Sequence, residues 1–193
     1  WKRVSIHYTL ILLFTFLFFL PLLNEEIILG FRESIGYYFK KFEFNASIYY
    51  LVREWGFWKY GYNIIQTVGW KLALYAALFI FLYIGWDAWK TYRKNELHSL
   101  WLAYLVLLSI YFLFSTVVHP WYVCSLVAFS IFTTWRFAIV WSALIVLTYI
   151  GYTPEGYSES LTWVAIEYFA VVLFAFTEWR VFSKFRTIKE TLN

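Results

Sequence analysis

Two long, mostly apolar runs, Val4–Leu23 and Ile64–Trp86, restrict this chain more than any other feature. A helix that crosses a bilayer needs roughly 20 predominantly apolar residues, and both runs meet that length. A soluble core built from 193 residues has no room to hide runs of that kind. Composition agrees: 62% of residues are hydrophobic and 15% charged, with a mean hydropathy of +0.61, whereas soluble domains carry about 25% charged residues. A membrane β-barrel would show short alternating segments rather than unbroken runs. The expected fold class is therefore all-α, a polytopic integral membrane helical bundle.

Hydropathy predicts six spans: Val4–Leu23, Ile64–Trp86, Ser99–Val118, Trp121–Thr134, Phe137–Tyr152 and Leu161–Phe176. The fourth and fifth are short, and either cross the membrane or form a re-entrant hairpin; both alternatives return the chain to the same side. Residues 1–193 read as one transmembrane domain, with 24–63 as a long loop on the outer side. Trp1–Leu23 is read as an anchor rather than a signal peptide, because its apolar run is long and bulky and no small-residue cleavage site follows it. The chain begins at Trp1 and contains no Met, which predicts that it is part of a longer protein. Its single cysteine, Cys124, excludes an intrachain disulfide.

Orientation follows from basic residues, which favour the cytoplasmic side. With the N-terminus inside, ten basic residues are cytoplasmic: Lys2, Arg3, Lys90, Arg93, Lys94, Arg136, Arg180, Lys184, Arg186 and Lys189. Five lie outside, all in the 24–63 loop: Arg32, Lys40, Lys41, Arg53 and Lys59. Both termini are thus expected in the cytoplasm. The outer loop is too aromatic for a disordered linker. Ile27, Ile28, Phe31, Ile35, Tyr38, Phe39 and Phe42 recur at helical spacing, and Ile48, Leu51, Val52, Trp55 and Trp58 form a second apolar face. Two amphipathic helices lying in the outer interface are predicted. Asn45 is expected to cap the second, with Phe44 stapled to Tyr49.

Few residues carry chemistry. In the stretch from Ser115 to Tyr122, Pro120 stops the third span and leaves His119 at the outer boundary. Beside Trp121 and Tyr122 it is either part of an interfacial aromatic belt or a group that binds phosphate or exchanges protons near neutral pH. Arg32, Lys40, Lys41 and Arg53 share its side, and either attract lipid head groups or clamp the phosphate of a lipid-linked substrate, a task that suits the guanidinium fork. Glu167, two turns inside the last span, is read as a structural hydrogen-bonding group or an acid/base. Glu54 is read as local ionic company for Arg53 or, less in keeping with its position, as an acid/base. No metal cluster, phosphate loop or nucleophile elbow is present, and nucleic-acid binding has no support. Asn45-Ala46-Ser47 matches a glycosylation sequon, a pattern common by chance.

Two stretches resemble mannosyltransferase-like glycosyltransferases of Bacteroidota. One runs from Phe42 to Glu54 and continues at Gly61-Tyr62-Asn63; the other is Thr116-Val117-Val118-His119-Pro120-Trp121-Tyr122. Their spacing to Phe132–Phe137 and to Val140-Trp141-Ser142 also fits, so the resemblance covers most of residues 38–150. It implies a polytopic enzyme of the GT-C class, moving a mannosyl or other hexosyl group from a polyprenyl-phosphate-linked sugar to a glycan or lipid acceptor hydroxyl. The setting implied is the periplasmic face of a bacterial inner membrane, without a cofactor. By carry-over, His119, Tyr122 and Arg53 line the donor-phosphate pocket. Members of the class usually place a catalytic Asp in their first outer loop. The sole Asp here is Asp87, on the expected cytoplasmic side, so the resemblance implies a general base upstream of Trp1. Two other roles stay open on the residues alone: a non-catalytic membrane subunit whose outer helices dock a partner protein, and a fragment of a lipid-linked-sugar transporter.

Overall fold

The computed structural model describes residues 2–94 and 99–191, without side chains at 38–39, 94 and 183–191. The connection 95–98, within the predicted Asp87–His98 loop, lies outside the described residues, as do the side chains of Lys94, Lys184, Arg186 and Lys189. The chain divides into two compact units, Trp1–Lys41 and Phe42–Asn193.

In the first unit, α1 (Lys2–Phe19) is apolar all round and passes through a short 3-10 turn, Leu20–Leu22, at Pro21. Helix α2 (Glu25–Lys41) opens at Asn24, whose Oδ1 accepts from the Ile27 N–H at 2.8 Å. Glu25 and Glu26 lie in its first turn and Lys40 and Lys41 in its last, an order that complements the helix dipole.

The second unit is built on α3 (Ile48–Tyr60), α4 (Ile65–Lys94), α5 (Leu100–Phe114), α6 (Pro120–Ile131), α7 (Phe137–Leu144) and α8 (Leu161–Thr191). A 3-10 segment, Ile145–Gly151, prolongs α7, and a two-residue hairpin pairs Tyr152–Thr153 with Gly156–Tyr157. Consecutive helices from α4 to α8 pack as neighbours, the arrangement expected when each apolar helix covers its predecessor. The core gathers Leu105 and Phe112 of α5, Val123 and Leu126 of α6, Trp141 of α7 and Val164 and Val171 of α8. The turn between α6 and α7 is tied by Arg136, whose Nη1 donates to the carbonyls of Ser130, Thr133 and Trp135. Glu178 of α8 accepts from the N–H groups of Arg136 and Phe137 at 2.7 and 2.9 Å, satisfying donors that the start of α7 leaves unpaired.

Gly61 ends α3 in the left-handed region (φ 79°), its N–H donating to the Phe57 carbonyl at 3.0 Å, as expected where only glycine avoids Cβ strain. Gly56 lets α3 meet the start of α4: a Cβ there would lie 2.7 Å from Cγ1 of Ile64.

Among the described residues, three helices are long and apolar enough to cross a membrane: Lys2–Leu22, Ile65–Arg93 and Leu161–Phe182. With large apolar side chains such as Phe18 and Trp58 more than four-fifths exposed, these helices point to membrane association. Three further apolar helices, Leu100–Phe114, Pro120–Ile131 and Phe137–Gly151, are shorter, so fewer than the six predicted spans reach full length. The largest departure is in Ser99–Val118. The helix stops at Phe114, and residues 115–118 run extended because they pair with Phe44. The Phe44 N–H donates to the Thr116 carbonyl at 3.0 Å, and the Val118 N–H to the Phe44 carbonyl at 2.8 Å.

Candidate functional site

Around that bridge, at one end of the bundle, gathers a polar cluster centred on Glu43, Asn45, Glu159 and Glu167. The C-terminal ends of α5 and of the 3-10 segment meet there with the N-terminal ends of α3, α6 and α8. Three glutamates organise the cluster, each serving a different side of the 43–50 segment.

Glu43 divides its two oxygens. Oε1 accepts from Arg53 Nη1 at 2.6 Å, while Oε2 accepts from the Tyr49 hydroxyl and from Asn63 Nδ2 at 3.1 Å. Asn63 Oδ1 accepts in turn from the Ile65 N–H at 3.0 Å, at the head of α4. Glu159, reaching in from the hairpin, accepts from the Asn45 N–H at 2.7 Å and the Tyr50 hydroxyl at 2.6 Å. Its other oxygen accepts from Thr148 at 3.3 Å. Glu167 is fully buried on α8 and accepts from Asn45 Nδ2 at 3.1 Å and Trp141 Nε1 at 2.8 Å. The Tyr168 hydroxyl completes the ring of contacts, donating to the Asn45 carbonyl at 2.8 Å.

Asn45 is therefore a hub and not the predicted N-cap. Its φ of 46° lies in the left-handed region, one that Asn tolerates better than most residues. Ser47 occupies the N-cap position of α3 without a side-chain capping bond; its hydroxyl donates instead to the Leu113 carbonyl at 2.8 Å. The Phe44 ring, expected against Tyr49, lies on His119 and Tyr157, with centroids 4.7 and 5.1 Å away.

Electrostatics keep the tyrosines as donors. Burial, reinforced by Glu43, pushes the Tyr49 hydroxyl pKa up, and burial followed by the Glu159 charge does the same for Tyr50. At Arg53, partial burial opposes the charge, but the hydrogen bond donated to Glu43 and that residue's charge outweigh it and hold the guanidinium pKa up. Glu54 accepts from Nε and Nη2 of Arg53 at 3.2 and 3.0 Å, the local ionic company expected of it. The Arg53 guanidinium also lies 4.5 Å from the Tyr50 ring centroid, within cation–π range.

His119 stands in an aromatic box. Trp121 stacks on it at 4.3 Å and 12°, and Tyr122 meets it edge-on at 5.3 Å. Partial burial lowers its pKa and so favours the neutral imidazole. Arg53 and His119 are linked through consecutive residues, Glu43 holding the guanidinium and Phe44 the imidazole. Arg32, Lys40 and Lys41 belong to the first unit and are exposed on α2, with Lys41 Nζ 5.9 Å from the Tyr37 ring centroid. Among the described residues no group of His, Cys, Asp and Glu is placed to hold a metal ion.

Beside the cluster runs an apolar groove of about 540 Å³ between α3 and α8. Ala46, Ile48 and Leu51 form one wall, Leu161, Val164, Phe169 and Val172 the other, and Tyr50 and Glu54 reach it from the polar side.

Comparisons with protein-family models, curated proteins and solved structures found no match. The site must therefore be read from its own chemistry. Glu43, Asn45, Tyr49, Tyr50, Asn63 and Glu159 were not singled out in the sequence as site residues. The available signal was the density of acids and amides in two segments predicted to lie on the same side, 43–63 and 151–160.

Proposed function

We propose that this chain binds the donor in a membrane glycosyltransferase that moves a sugar, a mannosyl or other hexosyl group, from a polyprenyl-phosphate carrier to an acceptor hydroxyl. The observation that carries the reading is the apolar groove between α3 and α8, lined in part by Tyr50 and Glu54, the two residues that also contact the Arg53 guanidinium. An apolar chain wants such a wall and a phosphate wants such donors, and the two are adjacent. On this reading α3 lies along the outer, periplasmic interface, the shorter apolar helices are embedded with the long ones to make six spans, and both termini are cytoplasmic.

Each residue then has a physical task. Arg53 meets the phosphate oxygens with its planar fork. His119, neutral and braced by Trp121 and Phe44, offers a ring N–H as a second donor, and Tyr122 closes the far side. As the glycosidic bond to the phosphate breaks, negative charge grows on the leaving oxygens. Donors already oriented in a site of low dielectric stabilise that charge without reorganising. Arg32, Lys40 and Lys41, exposed on α2, supply attraction for lipid head groups. Glu167 is structural on this reading, and deprotonation of the acceptor is assigned to none of the residues named here.

A photoreactive polyprenyl phosphate, presented to the protein in native membranes, tests the groove. Labels are expected on α3 and the first half of α8, around Leu51 and Phe169, and excess unlabelled lipid phosphate should suppress them. Labels scattered over all apolar helices would remove the assignment.

A further inference from the structure

Arg53, the residue assigned to the donor phosphate, is already occupied. Glu43 takes Nη1 at 2.6 Å, with 12% of the arginine side chain and 23% of the glutamate side chain exposed. Glu54 takes the other edge at 3.0 Å from a carboxylate that is 52% exposed. One face of the guanidinium is covered by the Tyr50 ring. Carboxylates take three of the five guanidinium N–H donors, so an anion that grips Nη1 competes with Glu43.

Glu43 is built for such a replacement. Its two oxygens serve separate partners, Oε1 for Arg53 alone and Oε2 for Tyr49 and Asn63. Losing the arginine leaves the carboxylate still accepting two hydrogen bonds, so its release orphans no buried charge. Tyr49 remains a donor throughout, because burial and Glu43 hold its pKa up. Glu54 has no comparable second hold, and its exposure lets water screen what it contributes.

We infer that Glu43 is an internal stand-in for the phosphate, holding the Arg53 fork in the ligand-free protein and being displaced when a lipid-linked phosphate binds. The inference rests on the functional reading above. It makes Glu43 an affinity-determining residue that works against binding: the ligand must break one charge-assisted bond and then sit beside the displaced carboxylate. Only a group that offers Arg53 at least as much as the carboxylate did is retained, which selects phosphate over neutral polar head groups.

The test is binding of farnesyl phosphate to the purified protein in detergent, with farnesol and inorganic phosphate as separate arms. Glu43→Gln keeps an acceptor for Tyr49 and Asn63 but removes the competing charge. Removing that competitor is expected to tighten farnesyl phosphate binding about tenfold, which is about 1.4 kcal/mol, with farnesol unchanged. Glu54→Gln should gain less than threefold, and Arg53→Ala should bind farnesyl phosphate no better than farnesol. Glu43→Asp, one methylene shorter with its charge kept, gives an intermediate gain and carries the test if the Gln variant does not fold. If phosphate binding depends on Arg53 but neither Glu43 variant gains, the stand-in role is overturned and the functional reading stands. If Arg53→Ala binds like the parent protein, the phosphate assignment itself fails, and the stand-in role with it. A gain equal for inorganic phosphate and farnesyl phosphate supports the exchange and removes the lipid part of the functional reading.

Discussion

Asn45 connects α8, the hairpin and the start of α3, and its replacement tests whether that hub holds the site together. Two terms separate in the variants Asn45→Ala and Asn45→Gly. Both delete the Nδ2 donor to Glu167, leaving a fully buried carboxyl with only Trp141. Loss of one buried hydrogen bond to an acid costs about 1.5–3 kcal/mol. Alanine must also adopt φ 46°, which adds about 1–2 kcal/mol for a residue with a Cβ, whereas glycine avoids that strain. The expected losses are thus about 3–4 kcal/mol for Asn45→Ala and about 2 kcal/mol for Asn45→Gly, before any cavity term. Unfolding by a denaturing detergent, followed by tryptophan fluorescence, would rank them parent, Gly, then Ala. An Ala variant as stable as the parent refutes the hub; a Gly variant less stable than Ala refutes the strain argument.

His119 gives a pH dependence of defined sign. Partial burial lowers its folded pKa below the unfolded value of about 6.5, so its contribution to stability is complete above that value. It is lost as the pH falls through the folded pKa, because the unfolded chain binds the proton more readily. His119→Phe should flatten that part of the stability profile, and an imidazole NMR titration should place the His119 midpoint below 6.5; a midpoint above it would reverse the sign. Gly56→Ala brings a Cβ to 2.7 Å from the Ile64 side chain and should destabilise the protein by about 1–3 kcal/mol. The added change Ile64→Val, which removes Cδ1 at 2.9 Å but keeps Cγ1, should cost less beside Gly56→Ala than in the parent in the same unfolding assay, and an equal cost would argue against the clash with Cδ1.

The helices were legible in the sequence wherever the signal was local. Apolar runs marked α1, α4 and α8, helical periodicity marked α2 and α3, and the fourth predicted span began at Trp121, one residue from the start of α6. Adjacent Arg53 and Glu54 were readable as a pair for the same reason. What escaped was set by partners far away in the chain. Residues 115–118 look like the end of a helix until Phe44 pairs with them through its backbone. Asn45 looks like an N-cap because its neighbours suit one. Glu167, Glu159 and Tyr168, more than a hundred positions away, hold it in another conformation. Glu43 was passed over because nothing local shows that Tyr49, Arg53 and Asn63, 6, 10 and 20 residues on, converge on it.

Arg53 and His119 carry the proposed function, and sugar transfer tests them most directly. The measurement is transfer from a polyprenyl-phosphate-linked hexose to acceptor, in membranes containing equal amounts of inserted parent protein, Arg53→Ala or His119→Ala. A donor-phosphate site predicts that each substitution cuts transfer by at least tenfold at unchanged insertion. Turnover equal to the parent in both variants would contradict the assignment.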